Sequence, residues 1–85
     1  MKTFTHIIKD PLGLHARPAA LLVKEVTGYQ SNVTIATPNA SADAKRLMAL
    51  MRLGAKQDAI LTVSVEGADE IVAAEKLKAF LKQNL

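Results

Sequence analysis

The chain has 85 residues, a formal net charge of +3 and no cysteine, which excludes disulfides and cysteine-based zinc sites. A single domain from residue 1 to residue 85 is expected, near the lower end of what a hydrophobic core can stabilise unaided. There is no apolar run long enough to cross a membrane and no signal-peptide pattern, so a cytoplasmic protein that is not a membrane protein is expected.

Thr3 to Lys9 is rich in β-forming residues and predicts a strand in which Phe4, His6 and Ile8 share one face. Asp10-Pro11-Leu12-Gly13 is a turn signal, and Gly13 would let the loop come close to a bound phosphate. Ala16 to about Thr27 predicts a helix with Ala19, Leu22, Val23 and Val26 on its apolar face, stopped by Gly28. Asn32 to Thr37 alternates, Pro38-Asn39 makes a turn, and Ala40 to Ala42 completes a hairpin. Asp43 is the expected cap of a short second helix ending at Gly54. Ile60 to Glu66 is a strand with Leu61, Val63 and Val65 inward. Asp69 then caps a final helix with the core stripe Ile71, Ala74, Leu77 and Leu81. The order β-α-β-β-α-β-α suits an α+β fold: a two-layer open-faced β-sandwich, with a four-stranded antiparallel sheet carrying three helices on one face.

The candidate site is the stretch Gly13-Leu14-His15-Ala16-Arg17-Pro18. Pro18 fits the first helical turn, where its missing N–H costs nothing, and this puts His15 close to the N-cap. The free N–H groups around Ala16, Arg17 and Pro18 and the positive end of the helix dipole attract an anion carried on or beside His15. Arg17 can add bidentate donors to the same anion. From spacing alone this is either a phosphoryl site or an exposed histidine beside a helix cap.

Gly13 to Ala19 closely resembles the active-site motif of the HPr family, the histidine-containing phosphocarriers of the bacterial phosphoenolpyruvate-dependent sugar phosphotransferase system. Arg46 to Gly54 resembles that family's second helix, and Val65 to Glu70 its last strand-to-helix turn, so the resemblance covers essentially the whole chain. It implies phosphorylation of His15 on its δ1 nitrogen with Arg17 as the phosphate partner. It also implies enzyme I as phosphoryl donor and a sugar-specific enzyme IIA as acceptor. A carrier rather than an enzyme is therefore expected. A paralogue of the same fold, whose phosphorylation state regulates a target protein, would retain the same two residues.

The second helix carries a further signal, because Leu47, Met48, Leu50, Met51 and Leu53 cover more of its circumference than one core-facing stripe needs. Either the helix is buried all round, or Met48, Met51 and part of Leu47 form a surface that repacks against several partners. The family resemblance implies docking on this helix and the first one, which places Ala20, Lys24, Arg46, Leu47, Met48, Met51 and Arg52 at the interface. With Lys45, the basic residues would form a positive ring that steers acidic partners. In HPr proteins of many Gram-positive bacteria a serine phosphorylated by a kinase stands where this chain has Arg46, so that regulatory switch is expected to be absent.

Charge alone does not point to nucleic acid, since the basic residues are dispersed and the only aromatics are Phe4, Tyr29 and Phe80. His6 and His15 are the only histidines and no acidic pair accompanies them, so no metal is expected. There is no Walker loop for nucleotide and no cofactor is implied. A monomer is expected.

Overall fold

The alternation of apolar and hydroxyl residues in the strands sets the two faces of the sheet. The structure, a computed structural model, describes residues 1–85. Strand β1 (Lys2–Ile7) turns Phe4 and His6 towards the helices and Thr3, Thr5 and Ile7 outward. Helix α1 (Ala16–Thr27) follows, then β2 (Asn32–Ala36), β3 (Ser41–Asp43), α2 (Leu47–Arg52), β4 (Ile60–Glu66) and α3 (Glu70–Asn84). All pairings are antiparallel and the strand order is β1-β4-β2-β3. In register, Phe4 lies opposite Val63, Val33 opposite Val65 and Ile35 opposite both Val63 and Ala42, so the inner face is a continuous aliphatic surface. Leu22 and Val26 of α1, Leu50 of α2, and Leu77 and Leu81 of α3 close over it and are fully buried. Each such side chain stabilises the fold by roughly 1.5–3 kcal/mol.

Strand ends fall where backbone groups find partners outside the sheet. Strand β1 stops at Ile7, short of the expected Lys9, because the Lys9 amide donates to the Leu85 carbonyl at 2.5 Å. Strand β2 stops at Ala36 because the Thr37 amide donates to the Ala40 carbonyl at 2.7 Å while the Thr37 hydroxyl accepts from the Ala40 amide at 3.2 Å. That turn absorbs Ala40, so β3 begins at Ser41.

Three expectations need correction. Asp43 does not cap α2: it lies in β3 and its Oδ1 accepts from the Lys45 amide at 2.9 Å, and Arg46 holds the N-cap position. Asp69 does stand at the N-cap of α3, but its carboxylate caps nothing in that helix and turns instead to the loop before β2. Ile71 is 64% exposed, and the buried stripe of α3 is Ala73, Ala74, Leu77 and Leu81. The stop expected at Gly28 stands: Gly28 is the C-cap of α1, in a right-handed conformation (φ −76°).

Candidate functional site

The loop from Asp10 to Leu14 delivers His15 to the start of α1. Asp10 accepts from the Leu12 amide through Oδ1 (2.8 Å) and from the Gly13 amide through its carbonyl (2.9 Å), a side-chain-capped turn of the kind aspartate favours. Gly13 has φ +70°, and a Cβ there would meet the Ala55 carbonyl oxygen at 2.5 Å and the Lys56 Cα at 2.7 Å. The close approach that requires glycine is thus to the backbone of residues 55 and 56, and not to a phosphate as the sequence suggested. Leu14 is buried and its amide donates to the same Ala55 carbonyl at 2.9 Å. Anchored on both sides, the loop has little freedom in where it places His15.

His15 is the N-cap of α1, with extended backbone (φ −98°, ψ −175°) and a side chain that makes no capping bond. Its carbonyl accepts the first helical bond, from Ala19 at 3.0 Å. The amides of Ala16 and Arg17 have no hydrogen-bond partner, Pro18 has no N–H to satisfy, and no acidic side chain stands in the first turn. This helix end therefore keeps two free donors and an uncompensated positive dipole.

His15 and Arg17 line one open depression of about 260 Å³, together with Asp10, Pro18, Leu21, Gln83 and Asn84. His15 is 35% exposed on its side chain, and its Nε2 lies 3.7 Å from the Asp10 Oδ2. Arg17 is exposed and makes no ion pair, which leaves its guanidinium available. Such a constellation can hold a tetrahedral oxyanion beside the imidazole through two amides and one guanidinium. Asp10, Leu21, Gln83 and Asn84 are lining residues that sequence reading had not assigned to the site. Two of them left a local signal, Asp10 as the aspartate of the turn five residues ahead of the histidine and Leu21 as the residue one helical turn after Arg17 on α1; Gln83 and Asn84 reach the site through the packing of α3 along α1.

Helices α1 and α2 pack side by side. Ala16, Ala20 and Lys24 are exposed on α1, and Arg46, Leu47, Met48, Met51 and Arg52 are exposed on α2. Leu50 is fully buried while Met48 is 63% exposed, which resolves the surplus of apolar residues on this helix into a core side and a surface side. Lys24, Arg46 and Arg52 make no ion pairs. Lys45 departs from the expected ring: it is half-buried and its Nζ donates to the Tyr29 carbonyl at 3.4 Å.

The second histidine lies elsewhere. His6 borders a depression with Ile7, Lys9, Lys82 and Leu85, and its Nε2 is buried without a partner. Burial, above all, holds its pKa below the usual imidazole value, with Lys9 and Lys82 adding to the effect. No group of three or more His, Cys, Asp or Glu side chains is arranged to hold a metal ion, and no helix is long and apolar enough to cross a membrane.

Known proteins resemble this chain over nearly its whole length. The family described as "PTS HPr component phosphorylation site" matches residues 2–83. The phosphocarrier protein HPr of Buchnera aphidicola subsp. Baizongia pistaciae is 49% identical over 74 residues, which is 87% of each chain. Among solved structures, HPr-C-His from Thermoanaerobacter tengcongensis superposes with a TM-score of 0.92 at 37% identity, covering 99% of this chain and 94% of that one. A structure described as an HPr dimer from the same organism matches with a TM-score of 0.76 at 37% identity, covering 98% and 95%. The fold is thus also found in a dimer.

Proposed function

The chain belongs to the HPr family of phosphocarrier proteins of the phosphotransferase system, and from that membership we propose that His15 accepts a phosphoryl group from phosphorylated enzyme I and passes it to a sugar-specific enzyme IIA. The observation that carries this reading is that His15 and the unpaired Arg17 line one open depression at the start of α1, where the amides of Ala16 and Arg17 have no partner.

In this mechanism the Nδ1 lone pair of His15 attacks the phosphorus held on the donor's histidine, the donor's N–P bond breaks, and its electron pair returns to the donor nitrogen. The second transfer reverses the roles, with His15 as leaving group. The carrier contributes a nucleophile and a preorganised cradle for the phosphoryl oxygens, and the partner supplies most of the positioning. Because the depression is open, the phosphoryl group stays accessible to a second protein, as a carrier working as a single chain in the cytoplasm requires.

The face formed by α1 and α2 serves as the docking surface for both partners. Ala20 lets a partner approach α1 closely, Met48 and Met51 adapt to different apolar surfaces, and Lys24, Arg46 and Arg52 attract acidic ones. Arginine at position 46 accepts no phosphate, so this face stays basic and the serine-based switch of related carriers is absent.

The test is intact-protein mass spectrometry at neutral pH after incubation with phosphoenolpyruvate and enzyme I, for the native chain and His15→Ala. The expected result is an acid-labile gain of one phosphoryl group by the native chain only, followed by its loss to enzyme IIA. No gain from an enzyme I proven active on another carrier would overturn the reading.

A further inference from the structure

A histidine with two ring nitrogens is a useful phosphoryl carrier at one of them only if something decides which nitrogen holds the proton. In the neutral ring the nitrogen that carries the proton has no lone pair to offer, and the other is the nucleophile. The side chain closest to deciding this is Asp10. Its carboxylate is not free to wander: Oδ1 is occupied by the Leu12 amide at 2.8 Å, and the Gly13 amide and the Leu85 carbonyl fix its backbone on either side (2.9 and 3.1 Å). This leaves Oδ2 as the acceptor nearest the His15 Nε2, at 3.7 Å, longer than a hydrogen bond in the free protein as acid–base contacts often are before the partner binds. Arg17 is the only other charged group lining the depression; α3 contributes the uncharged Gln83 and Asn84, and the Asn84 Nδ2 is already committed to the Phe80 carbonyl at 2.9 Å.

We propose that Asp10 is a positioning residue for phosphoryl transfer, holding the proton of His15 on Nε2 so that Nδ1 keeps its lone pair. A carboxylate can only accept, so the nitrogen facing it is the one that carries hydrogen. Attack by Nδ1 on the donor's phosphorus then forms the new N–P bond without any proton leaving the ring, and yields a phosphoimidazole that still carries its Nε2 proton and is positively charged in the ring. The Asp10 carboxylate lies on the far side of that ring from the phosphoryl oxygens, where it balances the ring charge and not the phosphate. On the second transfer the N–P electron pair returns to Nδ1 and the ring leaves as neutral imidazole, again with Nε2 protonated. Asp10 acts through His15 and touches no part of the phosphoryl group, as the carboxylate of a Ser-His-Asp triad acts through its histidine.

This inference rests on the phosphocarrier reading of His15 but is tested separately from it. The informative variant is Asp10→Asn, because the Leu12 amide still requires an acceptor and so holds the asparagine carbonyl in the place of Oδ1. The asparagine NH₂ is left facing Nε2 and selects the opposite tautomer. In ¹⁵N-histidine-labelled protein at mildly alkaline pH, His15 of the native chain should show a protonated Nε2 and a bare Nδ1, and Asp10→Asn should shift the balance towards protonated Nδ1. Its phosphorylation rate by enzyme I should fall about tenfold while KM and thermal stability stay near native, a loss far below that of a buried triad because this site is open to water. An unchanged tautomer balance in Asp10→Asn overturns the proposal, whatever the rate. A native chain with the expected tautomer that enzyme I cannot phosphorylate instead overturns the phosphocarrier reading.

Discussion

Asp69 and Ser31 join the start of α3 to the loop before β2. The Asp69 Oδ1 accepts from the Ser31 amide at 2.9 Å and from the Ser31 hydroxyl, while Oδ2 accepts from the Gln30 amide at 3.0 Å. Ser31 is fully buried, and Gly67 packs so tightly beneath it that a Cβ there would lie 2.6 Å from the Ser31 Cα. This clamp secures the end of α1 opposite His15.

Loss of the clamp should be visible in unfolding. Ser31→Ala removes one of the three bonds and should cost about 1 kcal/mol in a urea titration. Asp69→Ala orphans all three donors and should lower the urea midpoint further, with Asp69→Asn between the two. The Ser31 hydroxyl, first, and the Gln30 amide hold the Asp69 carboxyl below the usual carboxylate range. Its contribution is therefore complete above the unfolded-state pKa of about 4 and is lost as pH falls through the lowered folded value. Asp69→Ala should accordingly unfold with a shallower dependence on pH in that acid window than the native chain.

His6 should make the protein less stable under mildly acidic conditions. Its folded-state pKa is depressed, chiefly by burial, so below about pH 6.5 the unfolded chain binds a proton that the folded chain resists. Stability is complete above that pH and declines as pH falls through the depressed value. His6→Leu removes both the titrating group and the unpartnered Nε2. Thermal melts from pH 7.5 to pH 5 should show the difference between His6→Leu and native widening in favour of the variant; parallel curves would contradict the assignment.

What the sequence made legible, and what it did not, follows from the range of the interactions. The alternation Leu61, Val63, Val65 and the span Ala16–Thr27 are local patterns, and the structure reproduces both. The placing of His15 at the N-cap and of Arg17 and Pro18 in the first turn was equally legible, because these residues lie within four positions and their geometry is that of one helical turn. Asp69 illustrates the opposite: its residue type announces a helix cap, yet its partners lie 38 and 39 residues away and satisfy the carboxylate better. Gln83 and Asn84 enter the site only because α3 packs along α1, which no local pattern encodes.

Ile71 is the most instructive misreading. The buried stripe advances from Ala73 to Leu77 to Leu81, and at about 100° per residue Ile71 stands about 120° from Leu77 around the helix. Alanines at 73 and 74 sit where the helix lies against the core, so side-chain size rather than hydrophobicity separates the two positions. Ile71→Gln should therefore change stability by no more than about 0.5 kcal/mol. Ala73→Leu should destabilise by about 1–3 kcal/mol through overpacking. Chemical denaturation of the two variants checks this, and the reverse ranking would place the stripe where the sequence pattern first put it.

On α2, Met48 and Leu50 separate a surface side from a core side within a single helical turn. Leu50 is fully buried, so Leu50→Ala should lose about 2–5 kcal/mol of stability. Met48 and Met51 are 63% and 40% exposed beside the unpaired Arg46 and Arg52, so Met48→Ala and Met51→Ala should melt close to native. If these methionines meet the partner, the double variant should raise KM for phosphorylation by enzyme I about tenfold, as expected for anchors in a compact interface. The maximal rate should hold, because neither side chain lines the His15 depression. On the same reading, added salt should slow association of native chain and double variant by the same factor, because both keep the unpaired Lys24, Arg46 and Arg52. A double variant with native KM would remove α2 from the docking face, while a lowered maximal rate at native KM would assign the methionines to positioning at the site.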